Sequence, residues 1–340
     1  MILKIELENQ KFLDIDFDNI AYITGSNQKQ LWKIFRSLYY YFNKNPKLTE
    51  NIYGENKIEL ILDEQPLSEK NNDFYFINNR NSIYNQMIYK KDSLLFDLLN
   101  SLSGDLEIDR SIEKINDEHL QLEISVQKIL DLHSNNLKVE FQDLNYLDFL
   151  KNNLLMCYES DHNSYPIEFM DTETLLDEYF NFLEFKLKDN GRPVWLVLYN
   201  LDSFISSEDK YTFLKKVKGL VDDYDLKVIY MGNSLRSVPI EINDLDKIVV
   251  SANNFHQLLP YTELLKSVRL HYPNQFDLVG SDFADAIKRI APLVGSNQKA
   301  FISNKDLVLL KVVNDILDYE TSFDLNSQLL SNAETEFLKD

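Results

Sequence analysis

Between an apolar strand pattern and an amphipathic helix pattern the chain reads Thr24-Gly25-Ser26-Asn27-Gln28-Lys29-Gln30. A phosphate-binding loop would sit in this position, with backbone N–H groups and a helix start facing an anion. The full signature needs two glycines, then Lys and Ser or Thr. Here one glycine remains, Lys29 comes too early, and Gln30 stands where the magnesium-binding hydroxyl would be. The run VWLVLYN tells the same story. It resolves to Asn200 in place of a magnesium-binding aspartate, with Asp202 two residues later. The residues therefore predict the sheet topology of nucleotide-binding proteins without their hydrolytic chemistry. No catalytic residue is assigned. The enzyme alternative is a divergent P-loop nucleotidase working through Lys29 and Asp202, and a third reading is a protein-binding scaffold whose acidic helical block, residues 92–190, docks a basic partner.

Other chemistry is weaker or of a different kind. Asp14, Asp16 and Asp18 share one face of a strand by period two, which fits a solvent-facing edge that resists edge pairing better than a metal ladder. The five histidines lack zinc spacing, and GxSxG is absent. The single cysteine, Cys157, sits in an apolar pattern of helical period and reads as core. Carboxylates cluster at Glu140 and Asp143, on an extended link between two acidic helices, and at Glu159 and Asp161 at the end of the following helix. Oxygen-only ligands near a helix junction suit calcium, and a capping, solvated loop is the plain alternative. Lys29, Lys33 and Arg36 share a helix face. Lys210, Lys215, Lys216 and Lys218 decorate the helix after VWLVLYN. Either group could meet phosphates non-specifically, or be solvated surface.

The elements that must position these residues change along the chain. Residues 1–91 read mainly as β: ILKIELE and FLDIDFD as a hairpin across Asn9-Gln10-Lys11, then IAYITG, IELIL and FYFI. LWKIFRSLYYYF is the helix among them. From Asp92 to Asn190 apolar residues recur at three and four, in SLLFDLLNSL, from Asp109 to His133, in LDFLKNNLLMCYE, and from Thr172 to Leu187, with Asp171 or Thr172 as its cap. Residues 191–254 return to strand–helix–strand, with VWLVLYN, a helix from Ser207 to Val221, LKVIYMG and DKIVVSA implying a right-handed parallel crossover. The simplest architecture joins this sheet to that of residues 1–91. Residues 255–340 are helical again, with a polar end from about residue 325 expected to fray.

The chain of 340 residues carries 35 Lys+Arg against 55 Asp+Glu, a formal charge of −20, and 44% hydrophobic residues. This apolar content excludes a disordered chain, and one cysteine excludes a disulfide framework. The N-terminus has no apolar stretch that could serve as a signal peptide, and no run reaches the roughly 18 apolar residues of a membrane span. A soluble, cytoplasmic protein is expected. The negative charge is uneven: residues 92–190 hold 7 basic and 22 acidic side chains, whereas residues 21–91 hold 10 and 7. The total thus argues against a generally sticky DNA binder without excluding a local basic surface.

In its order of elements the sequence resembles the accessory spacer-acquisition (adaptation) protein of type II-A CRISPR systems, in the longer subfamily. The stretches that carry the resemblance are FDLLNSLSGDLE, LKVEFQDLNYLDFL and, above all, VWLVLYNLDSFISSEDKYTFLKKVKGLVDDYDLKVIYMGNSLRSVPIEINDLDKIVV. They span residues 90–250, with residues 1–90 similar in outline and 251–340 resembling the longer members' extension. The resemblance implies an α/β head with a degenerate P-loop-like sheet (1–91 and 191–254), an inserted acidic α-helical leg (92–190) and a C-terminal helical extension (255–340). It also implies a non-catalytic, ring-shaped homotetramer that encloses double-stranded DNA, prefers free ends and is supported by structural Ca2+. Its partners in antiviral defence would be the spacer integrase and the effector nuclease, with no membrane involved. Glu140 falls on a family calcium position, and Asp143 is offset from one.

Overall fold

The computed structural model describes residues 1–8, 11–43, 58–68, 70–134, 136–160, 163–188, 191–296, 302–321 and 331–337. Two compact units form: residues 1–80 with 187–340, and residues 81–186 inserted between them along the chain. The C-terminal helices belong to the first unit.

In chain order, β1 (Ile2–Leu7), β2 (Lys11–Asp16) and β3 (Ile20–Thr24) lead to α1 (Gln28–Asn43). Next come β4 (Leu60–Leu62), β5 (Gln65–Pro66), β6 (Asp73–Ile77) and the short α2 (Arg80–Tyr84). The insertion holds α3 (Leu94–Ser101), α4 (Leu106–Leu130), α5 (Tyr146–Asn153), β7 (Cys157–Ser160) and β8 (Asn163–Pro166), and α6 (Thr172–Lys188) leads back. Then follow β9 (Val194–Tyr199), α7 (Ser207–Asp223), β10 (Leu226–Gly232), β11 (Ile248–Ser251) and β12 (Phe255–Gln257). The last helices are α8 (Tyr261–His271), α9 (Gly280–Ile290), α10 (Asn304–Ile316) and α11 (Asn332–Phe337).

The first unit contains two sheets where the sequence suggests one. β2-β1-β4-β5 is antiparallel, while β12-β11-β3-β10-β9-β6 is parallel except for β12. The side-chain patterns explain the split. From Phe12 onward β2 alternates, burying Leu13 and Ile15 and exposing Asp14 and Asp16, as a sheet with one wet face requires. β3, β9 and β10 are buried along both faces, the pattern of a central parallel strand. β2 is an edge strand, so its carboxylates, with Asp18 beyond it, stand in solvent. The turn residues Asn9 and Gln10 lie outside the described residues.

One core joins the two sheets. Leu31, Ile34, Phe35 and Leu38 of α1 pack with Leu3 and Ile5 of β1, Leu13 and Ile15 of β2, and Ile23, Val197 and Met231 of the large sheet. Trp195 stacks between Phe17 (5.3 Å) and Phe74 (5.4 Å), and its indole N–H donates to Asn72 Oδ1 at 3.1 Å. α7 packs on β10, burying Phe213, Leu214, Val217 and Leu220.

Two expectations need correction. The helix from Leu147 to Glu159 stops at Asn153. Leu154 is already extended, and a β7–β8 hairpin follows in which Tyr158 faces Tyr165, ring centres 5.7 Å apart. Asn152-Asn153 is a weak helix ending, and cross-strand aromatic pairing takes over. Cys157 is consequently exposed, not core. At the C-terminus, residues 331–337 do not fray but carry α11. The buried Glu334 carboxylate accepts from the Ser331 N–H (2.9 Å), the Ser331 hydroxyl (2.8 Å) and the Tyr272 hydroxyl (3.2 Å).

Asp244 anchors the chain between β10 and β11. Its buried carboxylate accepts from Lys218 at 2.7 Å and from the Glu241 N–H at 2.9 Å, and faces Lys247 at 3.3 Å. Burial alone would raise its pKa, but these partners outweigh it and hold the carboxyl below its ordinary value. A carboxylate with a depressed folded pKa stabilises above its unfolded value, about 3.9, and loses that contribution as pH falls further. Asp244→Asn is therefore expected to cost about 2 kcal/mol at pH 7. Urea titrations should show the difference from wild type shrinking only below about pH 4.

Candidate functional site

The loop after β3 is closed by the chain itself. A Cβ at Gly25 would lie 2.0 Å from the Ser251 carbonyl oxygen, so only glycine lets β11 approach this closely. Asn27 caps α1: its Oδ1 accepts from the Gln30 N–H at 3.2 Å, and its carbonyl from the Leu31 N–H at 3.2 Å. The Gln30 and Leu31 N–H groups at the helix start are thus used internally. Across the sheet, Asn200 is held left-handed at φ 52°, and its N–H donates to the Met231 carbonyl at 2.8 Å. Asp202, two residues on, forms an ion pair with Lys210.

The seven basic candidates separate sharply. Lys210 is 1% exposed and its ammonium is held by Asp202, so it offers no surface to a duplex. It stands in phase with Phe213, Leu214 and Val217, at offsets of three, four and seven, which places it on the buried stripe of α7. That spacing was legible in the sequence. Lys218 is engaged by Asp244 (2.7 Å) and Glu241 (3.3 Å). Lys33 and Arg36 both pair with Glu8, Lys33 at 2.7 Å, so one carboxylate offsets two cations of the α1 face. Lys29, Lys215 and Lys216 are exposed.

The acidic link is built by α4. No residue of this 25-residue helix is buried. Its polar stripe nevertheless clamps the backbone of residues 137–144. Asn116 exchanges two bonds with Leu144, its Oδ1 accepting at 2.8 Å and its Nδ2 donating at 3.0 Å. The Glu123 carboxylate accepts from the Phe141 N–H at 3.0 Å. Gln127 accepts from the Val139 N–H at 2.7 Å and donates to the Leu137 carbonyl at 3.1 Å. Residues 116, 123 and 127 are seven and four apart, hence on one helix face. This stripe was readable in the sequence but meaningless without knowing what lay against it. Glu140 and Asp143 on the link are exposed, as is Glu159, which sits on β7 rather than at a helix end. Asp161 lies outside the described residues. Among the described residues, no three His, Cys, Asp or Glu side chains come together as a metal group.

No family model and no curated protein matches the sequence. A solved structure does: Stu0660 of Streptococcus thermophilus superposes with a TM-score of 0.82 at 18% identity, over 100% of this chain and 99% of that one. The chain has the fold of Stu0660. CbiO1 from Clostridium perfringens, part of the ABC transporter complex cbiONQ, aligns at a TM-score of 0.36 and 12% identity, over 80% of this chain and 96% of that one. That likeness is too slight to carry a fold assignment. Among the described residues no helix is long and apolar enough to cross a membrane.

Proposed function

We propose that this chain binds double-stranded DNA without sequence preference, as a homotetrameric ring that closes around the duplex, and that it acts non-catalytically in CRISPR spacer acquisition. The observation that carries this reading is the segregation of charge. The inserted unit, residues 81–186, holds 8 basic and 21 acidic side chains, so 13 of the 20 excess negative charges lie there. The first unit carries the exposed Lys29, Lys215 and Lys216. Symmetric copies would multiply those three lysines into a continuous cationic lining, while the acidic unit keeps DNA from its own surface.

Two further features support this reading. α4 leaves Leu106, Leu120 and Ile124 exposed along one side and Leu122 and Ile129 along another, apolar side chains that association would cover. Asp202 is paired with Lys210, so the carboxylate that the nucleotidase alternative would use is already engaged. For calcium, Glu140, Asp143 and Glu159 are exposed oxygen donors of the right hardness. The described side chains of one copy do not cage an ion that takes 6–8 oxygens. Backbone carbonyls or a second copy would have to complete the shell.

Gel retardation of a linear duplex against the same sequence as a closed circle, at low salt with calcium, tests the proposal. A ring retains the linear form and not the circle.

A further inference from the structure

β3 and β10 are neighbours in the large sheet, and the chain leaves them in opposite directions. From β3 it next joins the sheet at β6 on one side, and from β10 at β11 on the other. In open α/β sheets the crevice outside the carboxyl ends of two such strands is where ligands bind. On the β3 side that crevice is filled by Gly25 against Ser251 and by the Asn27 cap. Beyond the end of β10 lies a separate opening, lined by no residue of β3 or its loop. A cavity of about 240 Å3 begins at Asn233 and Ser234, directly after β10. It is lined further by Arg236 and by Lys288, Arg289 and Pro292 at the C-terminal end of α9.

Three cations surround this cavity and two carboxylates offset them. Asp285 meets Lys288 at 3.2 Å, and Asp306 holds Arg289 through two bonds of 2.9 Å. One positive charge is left over, and the Arg289 guanidinium is fixed in orientation. The opposite wall is fixed too. The Tyr230 hydroxyl donates to the Ser234 carbonyl at 3.1 Å, and the Arg236 N–H donates to Ser234 Oγ at 3.2 Å. Arg236 itself is exposed at the rim.

We propose that this cavity binds a phosphate group. The Arg236 guanidinium fork matches phosphate oxygens in geometry and charge, and Asn233 adds amide donors. A cavity of about 240 Å3 is smaller than the roughly 300–1,000 Å3 of drug-sized sites, so it suits a phosphate ester better than a bulky cofactor. The phosphate has two possible sources: a free phosphorylated small molecule, or the backbone of DNA. The second source rests on the DNA-binding reading above, and the first does not.

Isothermal titration at constant ionic strength with inorganic pyrophosphate and with AMP tests the site on the full chain. Saturable binding of at least one ligand is expected, weakened about tenfold in Arg236→Ala and in Lys288→Ala. The exposed Arg236 makes its variant safe for folding, which an unchanged melting temperature verifies. Displacement of the ligand by duplex assigns the phosphate to DNA. Undisturbed binding assigns it to a small molecule, even if the DNA reading fails. No binding of either ligand at millimolar concentration, or equal affinity in both variants and wild type, overturns the proposal.

Discussion

Asp202→Ala is expected to destabilise the first unit by about 3 kcal/mol, whereas Lys210→Met costs little. Lys210 is 1% exposed and paired with Asp202, which is itself 29% exposed. Removing the carboxylate leaves a buried ammonium without its counter-charge, a change that costs roughly 3–5 kcal/mol for fully buried pairs. The partial exposure of Asp202 places the effect at the lower end. Methionine, in contrast, replaces the lysine with an apolar chain of similar length beside Phe213, Leu214 and Val217, and such replacements of buried ions are often neutral or stabilising. The double variant should therefore recover most of what Asp202→Ala loses. Urea unfolding of the four proteins measures this directly. Losses of the two single variants that simply add in the double variant would show that the charges are not coupled.

The second large effect concerns salt. If the three exposed lysines of each subunit recur four times around a ring, about six phosphate contacts is a modest requirement. Each neutralised phosphate releases condensed counterions, so affinity for a linear duplex should fall about a thousandfold between 50 and 200 mM salt. Replacing Lys29, Lys215 and Lys216 together by glutamine should flatten that slope. A slope near zero in the wild type, or one unchanged in the triple variant, contradicts an electrostatic lining. None of the three holds the core together, since all are exposed.

Much of this fold was legible from residue patterns. The runs that became β9 and β10 are apolar on both faces, and α7 between them is punctuated by Ser206, whose hydroxyl accepts from the Asp209 N–H at 3.1 Å. Local chemistry alone determined those elements. Asp171 likewise resolved as the cap of α6, accepting from the Thr174 N–H at 2.8 Å. What was not legible depended on partners distant in sequence. Leu154 and Leu155 continue a helical period by chance, while the chain obeys the Tyr158–Tyr165 pairing instead. Lys33 and Arg36 look like a free basic face until Glu8, more than twenty residues upstream, arrives on it. The split into two sheets was encoded in the contrast between alternating β2 and continuous β3, but strand order is set by packing, not pattern.

The fold resembles that of Stu0660 across its whole length, and at 18% identity this likeness bears on architecture alone. Function has to be decided on DNA. The most direct measurement is competition for the protein between a linear duplex and the same duplex closed into a relaxed circle, in low salt with calcium. A ring of copies around the helix predicts retention of the linear form, negligible retention of the circle, and loss of the linear complex when both ends are blocked by bulky groups. Equal affinity for line and circle, or no binding to either, would contradict enclosure.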